Sequence, residues 1–310
     1  MLAAEAALLA VLGVVALDLV AHRHVEQLGG VNVWGYRGPV MHRKQAREIR
    51  IAVVGGDLAF GWGVAASEAL APTIRQFVAL ETDKPGRPLR QVTAVTIAAM
   101  GLAVRDYAGW IAHYSSLDPD VVCIVLDPVS VRQQPRAWPL PERRSLAWKM
   151  FGYAPILPLV LEEKGILVHS SALQTAGSVA ASIDRGMARL VSRPSTGGNP
   201  AGSEIGADAY ASGIEAAVRS AQAVGTGVGV VIVAPLYRSD EDARYHVAIQ
   251  RMIDAKFSGD RRVQLVDLGD EPDMYDEGLR LNATDFSTAG HLRAAGYVTP
   301  AVLRLIEGQS

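Results

Sequence analysis

Two acidic residues stand where an α/β protein exposes reactive side chains. Asp57 follows the apolar run "IAVVGG" and precedes "LAFGWG", a pattern typical of the carboxyl end of a first strand, and Asp285 precedes the last helical pattern. If the two carboxylates lie close together, they form an acid and base pair or bind a divalent ion through oxygen. No further supporting group lies nearby in the sequence, so we predict no metal and no cofactor. We favour a simpler role, in which Asp57 caps the helix that follows it.

The composition indicates a globular chain with no bias towards one kind of partner. Apolar residues make up 49% of the 310 residues, which is ample for a core, and 30 Lys plus Arg stand against 32 Asp plus Glu. This balance gives no field of one sign, so nucleic acid is not a predicted partner. The single cysteine, Cys123, excludes an internal disulfide and a cysteine-based zinc cluster.

The first 24 residues differ in composition from the rest. Residues 2–21 contain only Glu5 and Asp18 as charged residues, and twenty such residues in a helix span roughly the core of a bilayer. We therefore predict a single-pass membrane anchor at 1–24, with a core helix of a globular protein as the alternative. The basic residues that follow the helix would keep the main domain cytoplasmic by the positive-inside rule.

After a connecting lead-in at 25–48, strand and helix patterns alternate five times. Continuous β-branched runs suit strands that are buried on both faces of a parallel sheet. This alternation predicts a doubly wound α/β domain over 49–310, with a mainly parallel five-stranded sheet in a flavodoxin-like, three-layer arrangement. The predicted strands are "IRIAVVGG", "RQVTAVTIA", "DVVCIVL", "GVGVVIVAPL" and "RVQLVDL"; the predicted helices are "SEALAPTIRQFVALE", "VRDYAGWIAHYSSL", "DAYASGIEAAVRSAQAVG" and "DARYHVAIQRMIDAKF".

An insertion at about 132–207 interrupts the alternation. Its first half is aromatic and apolar, and Pro155 and Pro158 make a continuous spanning helix improbable there. The segment suits a lid, a membrane-skimming patch or a partner contact, or else a small core beneath a loop. We take the aromatic residues Trp148, Phe151 and Tyr153 as the predicted contact surface.

Three stretches resemble signature blocks of membrane-anchored SGNH/GDSL-type hydrolases. They are "NVWGYRGP", "RIAVVGGDLAFGWGV" and "LRLNATDFSTAGHLRAAGYVTPAVL", and the resemblance covers about residues 32–306. It implies the three-layer α/β fold of that family, an extracytoplasmic domain, and a serine, histidine and aspartate that hydrolyse esters.

The residues that are catalytic in those blocks of the family are replaced by other residue types in this chain. The resemblance puts Asp57 in the place of the serine, Asn282 in that of the aspartate and Asp285 in that of the histidine. It also implies that Gly56, Gly101 and Ser130 occupy the region that binds the oxyanion, without the family's asparagine donor. Ester hydrolysis needs a hydroxyl, an imidazole and an orienting carboxylate, so this degenerate triad predicts a pseudoenzyme.

A second register takes His291 as the base and Thr288 in the aspartate position. No serine faces the histidine in that register, and "STAG" is typical of a helix N-cap. We therefore favour a packing or surface role for His291.

The sequence thus predicts a catalytically degenerate subunit of a membrane-associated assembly, with protein partners. One alternative is a divergent esterase, deacetylase or acyltransferase that acts on cell-envelope polysaccharide or lipid esters. Another is a module that binds a glycan or lipid in the cleft where the family's active site lies. Fold similarity alone does not choose between them.

Overall fold

The computed structural model describes most of the chain outside the predicted insertion. The described residues are 2–27, 31–32, 34–83, 91–99, 101–127, 157, 206–236, 239–282 and 285–308. The chain divides into two compact units, Met1–Tyr36 with Ala137–Asn199, and Arg37–Arg136 with Pro200–Ser310. The contact residues Trp148, Phe151 and Tyr153, and nearly all of the insertion, lie outside the described residues.

The first unit contains a long helix, α1 (Leu2–Gln27). Nine large apolar side chains between residues 8 and 20 are 45–69% exposed. Asp18 is buried, and its carboxylate lies 3.7 Å from His22 Nε2 and accepts a 2.6 Å hydrogen bond from the Leu157 N–H.

The predicted membrane anchor at residues 2–21 is not supported. Among the helices that the structure describes, none is both long and apolar enough to cross a membrane. Asp18, one of the two charged residues of this stretch, has its carboxylate buried in contacts within the first unit.

The second unit is built on a five-stranded sheet in which every neighbouring pair of strands is parallel. The strand order is β2-β1-β3-β4-β5, the flavodoxin-like order of doubly wound sheets. The predicted fold class is therefore confirmed. The strands are β1 (Glu48–Gly55), β2 (Gln91–Ala98), β3 (Val121–Val125), β4 (Gly229–Ala234) and β5 (Val263–Asp267).

The three central strands, β1, β3 and β4, are buried along their whole length. This burial explains their continuous β-branched sequences, because a strand that is covered on both faces has no solvent side to make polar. The edge strands β2 and β5 are only partly buried.

Helices cover both faces of the sheet. α3 packs with α7 and α4 packs with α5, while α6 packs on α5. The helices of this unit are α2 (Asp57–Phe60), α3 (Leu70–Thr82), α4 (Val104–His113), α5 (Ala207–Val224), α6 (Asp240–Phe257) and α7 (Thr288–Glu307).

Candidate functional site

The turn between β1 and α2 carries Asp57 at the carboxyl end of the central part of the sheet. Gly55 admits no side chain, because a Cβ there would lie 2.6 Å from both the Val125 carbonyl oxygen and Ala59 Cβ. After one turn of helix, Gly61 ends α2 in the left-handed conformation at φ +72°. The sequence around Asp57 therefore builds the tight strand-to-helix turn that would present a nucleophile.

Asp57 is buried to 1% exposure and engages the predicted oxyanion glycine. Its Oδ1 accepts a 2.9 Å hydrogen bond from the Gly101 N–H. The sequence resemblance predicts that this glycine amide helps to bind the oxyanion. In the structure the amide donates to the Asp57 carboxylate.

Asp127, rather than Asp57, accepts a hydrogen bond from a main-chain amide at the start of α2. Its buried Oδ2 accepts a 3.0 Å hydrogen bond from the Leu58 N–H, one of the free amides of the first turn. A Cβ on Gly56 would lie 3.0 Å from the same oxygen. Sequence reasoning gave the capping role to Asp57, since a cap is normally adjacent in sequence.

Asn282 and Asp285 bond to one another. Asn282 Nδ2 donates to Asp285 Oδ2 over 2.6 Å, and the Asp285 N–H donates to Asn282 Oδ1 over 2.9 Å. The spacing is the one that the resemblance gives to the family's aspartate and histidine. The direction of the side-chain hydrogen bond is reversed, because the Asn282 amide donates and the Asp285 carboxylate accepts. Asp285 is also almost fully buried.

The last block continues into α7, and Ser287 caps it. Ser287 Oγ accepts a hydrogen bond from the Gly290 N–H over 3.3 Å, as the "STAG" pattern predicted. Thr288 is exposed, and its hydroxyl donates to Glu68. The Thr288 side chain is thus oriented towards the Glu68 carboxylate.

His291 is a packing residue in the interior of the unit. It is 1% exposed, and its ring meets the ring of Phe286 edge-on at 5.9 Å. Burial, and then the positive charge of Arg37, lower the pKa of His291 from 6.5 to about 4. The imidazole is therefore neutral at pH 7.

Arg37 holds the loop that follows α2, a role that sequence reasoning missed. Its guanidinium donates to the carbonyl oxygens of Phe60, Gly61 and Val64 and stacks 4.8 Å from the centre of the Phe60 ring. Burial lowers its pKa to about 10, so it stays charged at pH 7. The sequence offered only the adjacent "WGYRGP" stretch as a signal.

The predicted triad positions hold two carboxylates and an amide, so neither a hydroxyl nucleophile nor an imidazole base stands at any of them. Within the described ranges, no three His, Cys, Asp or Glu side chains come together as a metal site would require. Ser130, the remaining predicted member of the oxyanion region, lies outside the described residues.

The chain is similar to several solved structures at low sequence identity. The esterase EstA of a Pseudoalteromonas species is 9% identical, with 83% of this chain and 98% of that chain covered and a TM-score of 0.48. A family 3 carbohydrate esterase of Clostridium thermocellum is 11% identical, with 84% and 98% covered and a TM-score of 0.45. TesA is 15% identical, with 83% and 99% covered and a TM-score of 0.46. No protein-family model and no curated protein matches the chain.

The second unit has a doubly wound parallel α/β fold, as the resemblance in the sequence implies, and the Gly-Gly-Asp turn follows β1 as expected. Likeness to solved structures at such low identities implies no activity.

Proposed function

We propose that this chain is a catalytically inactive SGNH-hydrolase-like protein that serves as a structural or binding subunit of a larger assembly. One observation carries the proposal: the buried carboxylate of Asp57 stands at the nucleophile position and accepts the hydrogen bond of the Gly101 N–H.

This contact opposes ester hydrolysis. An oxyanion hole stabilises negative charge with donors that are free to bind it, and here the donor already serves the Asp57 side chain.

The carboxylate is a poor substitute for the serine as well. Attack by a carboxylate on an ester carbonyl forms an anhydride, and a general base must then activate water to release it. Neither Asn282 nor Asp285 supplies an imidazole, and the two are bonded to each other. The retained turn is therefore an architectural element.

The apolar surface of α1 supports the role as a subunit. Side chains such as Leu9 and Val20 are more than 60% exposed. Large contiguous apolar surfaces of this kind mark contact sites, whereas isolated exposed apolar residues do not. We therefore propose α1 as the contact surface and an apolar surface of a protein partner as its counterpart.

Turnover of p-nitrophenyl acetate by the purified full chain tests the loss of catalysis. We expect no hydrolysis above that of buffer, no change in Asp57→Ala, and no labelling by a fluorophosphonate probe. Asp57→Ser is expected to remain inactive, because no imidazole stands at positions 282 or 285.

Hydrolysis that Asp57→Ala abolishes, while a surface variant such as Arg105→Ala retains it, would overturn the proposal. The divergent esterase or deacetylase predicted as the alternative would then be the better account, with Asp57 as its first catalytic candidate.

A further inference from the structure

A pocket in the second unit lies at the outer edge of β2. Its volume is about 470 Å³, within the range of small-molecule sites, which is about 300–1,000 Å³. The walls come from β2, from the segment Arg37–Pro39 and from the start of α3. Neither Asp57, Asn282 nor Asp285 lines it, so it is separate from the degenerate catalytic frame.

The described lining residues carry charge of one sign. Arg37 and Arg75 are among them, and none of those that the structure describes is an aspartate or glutamate. The guanidinium of Arg37 also donates to carbonyl oxygens of the loop after α2. Arg75 is partly buried and makes no hydrogen bond or ion pair with any residue that the structure describes. An arginine in this setting suits a carboxylate or a phosphate, which it binds through two parallel hydrogen bonds.

Further donors lie around Arg75, because the hydroxyl group of Ser67 and the amide of Gln91 line the same pocket. The Thr93 hydroxyl also lines it and donates to Glu48 Oε1 over 3.1 Å. The main chain of Thr96 bonds to Arg37 at the outer edge of β2 over 2.8 and 2.9 Å. Because alternate residues of a strand direct their main-chain groups to the same edge, those of Ala94 face this edge as well.

The rest of the lining is apolar and small, with Ala66, Ala71, Pro72 and Val92 among its residues. Such walls stabilise a short hydrocarbon portion of a ligand by removing it from water.

We propose that this pocket binds a small oxyanion, a carboxylate or a phosphate monoester carried on a short apolar body, with Arg75 as its main charged contact. The proposal does not depend on the loss of hydrolase activity, because none of the residues that carry it belongs to the catalytic frame.

Titration calorimetry on the full chain with hexanoate and hexyl phosphate tests the proposal and distinguishes the two sources of the oxyanion. Inorganic phosphate shows what the apolar body contributes, and hexanol shows what the charge contributes. We expect saturable binding of at least one of the two anions and weaker or no binding of hexanol. Arg75→Ala should weaken the binding about tenfold or more, and Arg75→Lys should lose less.

Arg105→Ala is the matched control, since Arg105 is an exposed arginine on α4 that does not line the pocket. It should bind as the wild type does, and thermal melts of all variants should coincide, because Arg75 makes no hydrogen bond or ion pair in the described structure. The proposal is wrong if neither anion binds, if hexanol binds as tightly as the anions, or if Arg75→Ala leaves the affinity unchanged.

Discussion

At the scale of single residues, polar groups of the candidate site bond to one another. The Asp57 carboxylate accepts the hydrogen bond of the Gly101 N–H. Asn282 and Asp285 likewise satisfy one another. A buried polar group without a partner costs about 1–3 kcal/mol, so these pairings stabilise the turn after β1 and the loop before α7.

Asp127 offers a test of this structural role. Asp127→Ala removes the acceptor for the Leu58 N–H and should lower the free energy of unfolding by about 1–2 kcal/mol. Asp127→Asn keeps an acceptor oxygen and should lose less. Urea denaturation of both variants measures the difference, and equal stability of Asp127→Ala and wild type would contradict the assignment.

His291 predicts a pH dependence of stability. Its pKa in the folded chain is lowered to about 4, so between about pH 6.5 and pH 4 the unfolded chain binds more protons than the folded one. The stabilisation is complete above about pH 6.5 and is lost as the pH falls. This residue should account for a loss of about 2 kcal/mol between pH 7 and pH 5.

Urea denaturation of wild type and His291→Gln at pH 7, 6 and 5 measures that loss. This interval stays above the ordinary titration range of carboxyl groups. The variant should lose less stability than the wild type as the pH falls, and parallel pH profiles would count against a buried neutral histidine.

At the scale of elements, the sequence predicted the five strands closely. "DVVCIVL" contains β3 (Val121–Val125) and "RVQLVDL" contains β5 (Val263–Asp267). Short β-branched runs bounded by polar residues are typical of buried strands, so the sequence located them well. The prediction began α3 at Ser67, whereas it begins at Leu70 after a short 3₁₀ turn. Helix starts are less sharply encoded than buried strands, and no side chain caps this one.

The entry to α7 depends on a glycine that the sequence did not single out. A Cβ at Gly290 would lie 2.0 Å from the Leu279 carbonyl oxygen, while a Cβ at Gly296, in the same helix, meets nothing within 4 Å. Gly290→Ala should therefore destabilise the chain by about 2 kcal/mol or more. Gly296→Ala should stabilise it by about 0.5–1 kcal/mol, because alanine favours the helix. Thermal melts compare the pair, and a tolerated Gly290→Ala would show that this contact is not as close as described.

At the scale of the whole molecule, the parallel five-stranded sheet followed from the alternation of strands and helices, but the contacts around the site did not. Asp127 lies 69 residues from Leu58 in sequence and reaches it only because β3 lies beside β1. Arg37 lies 23 residues from the Phe60 carbonyl oxygen that it holds. Contacts of this kind depend on three-dimensional neighbours, which neither composition nor periodicity specifies.

The proposed role of the whole chain depends on α1. Leu9→Lys places a charge at a side chain that is 69% exposed, so the fold should tolerate it while an apolar contact should not. Leu80→Lys on α3 is the matched control, since Leu80 is 67% exposed in the other unit.

The most direct test is a mild-detergent extract of native cells, fractionated by size, with the fractions that hold this chain identified by mass spectrometry. We predict that wild type and Leu80→Lys migrate with a larger complex of fixed stoichiometry, and that Leu9→Lys does not. Migration of the wild-type chain alone, near its own mass of 33.0 kDa, would contradict the role as a subunit.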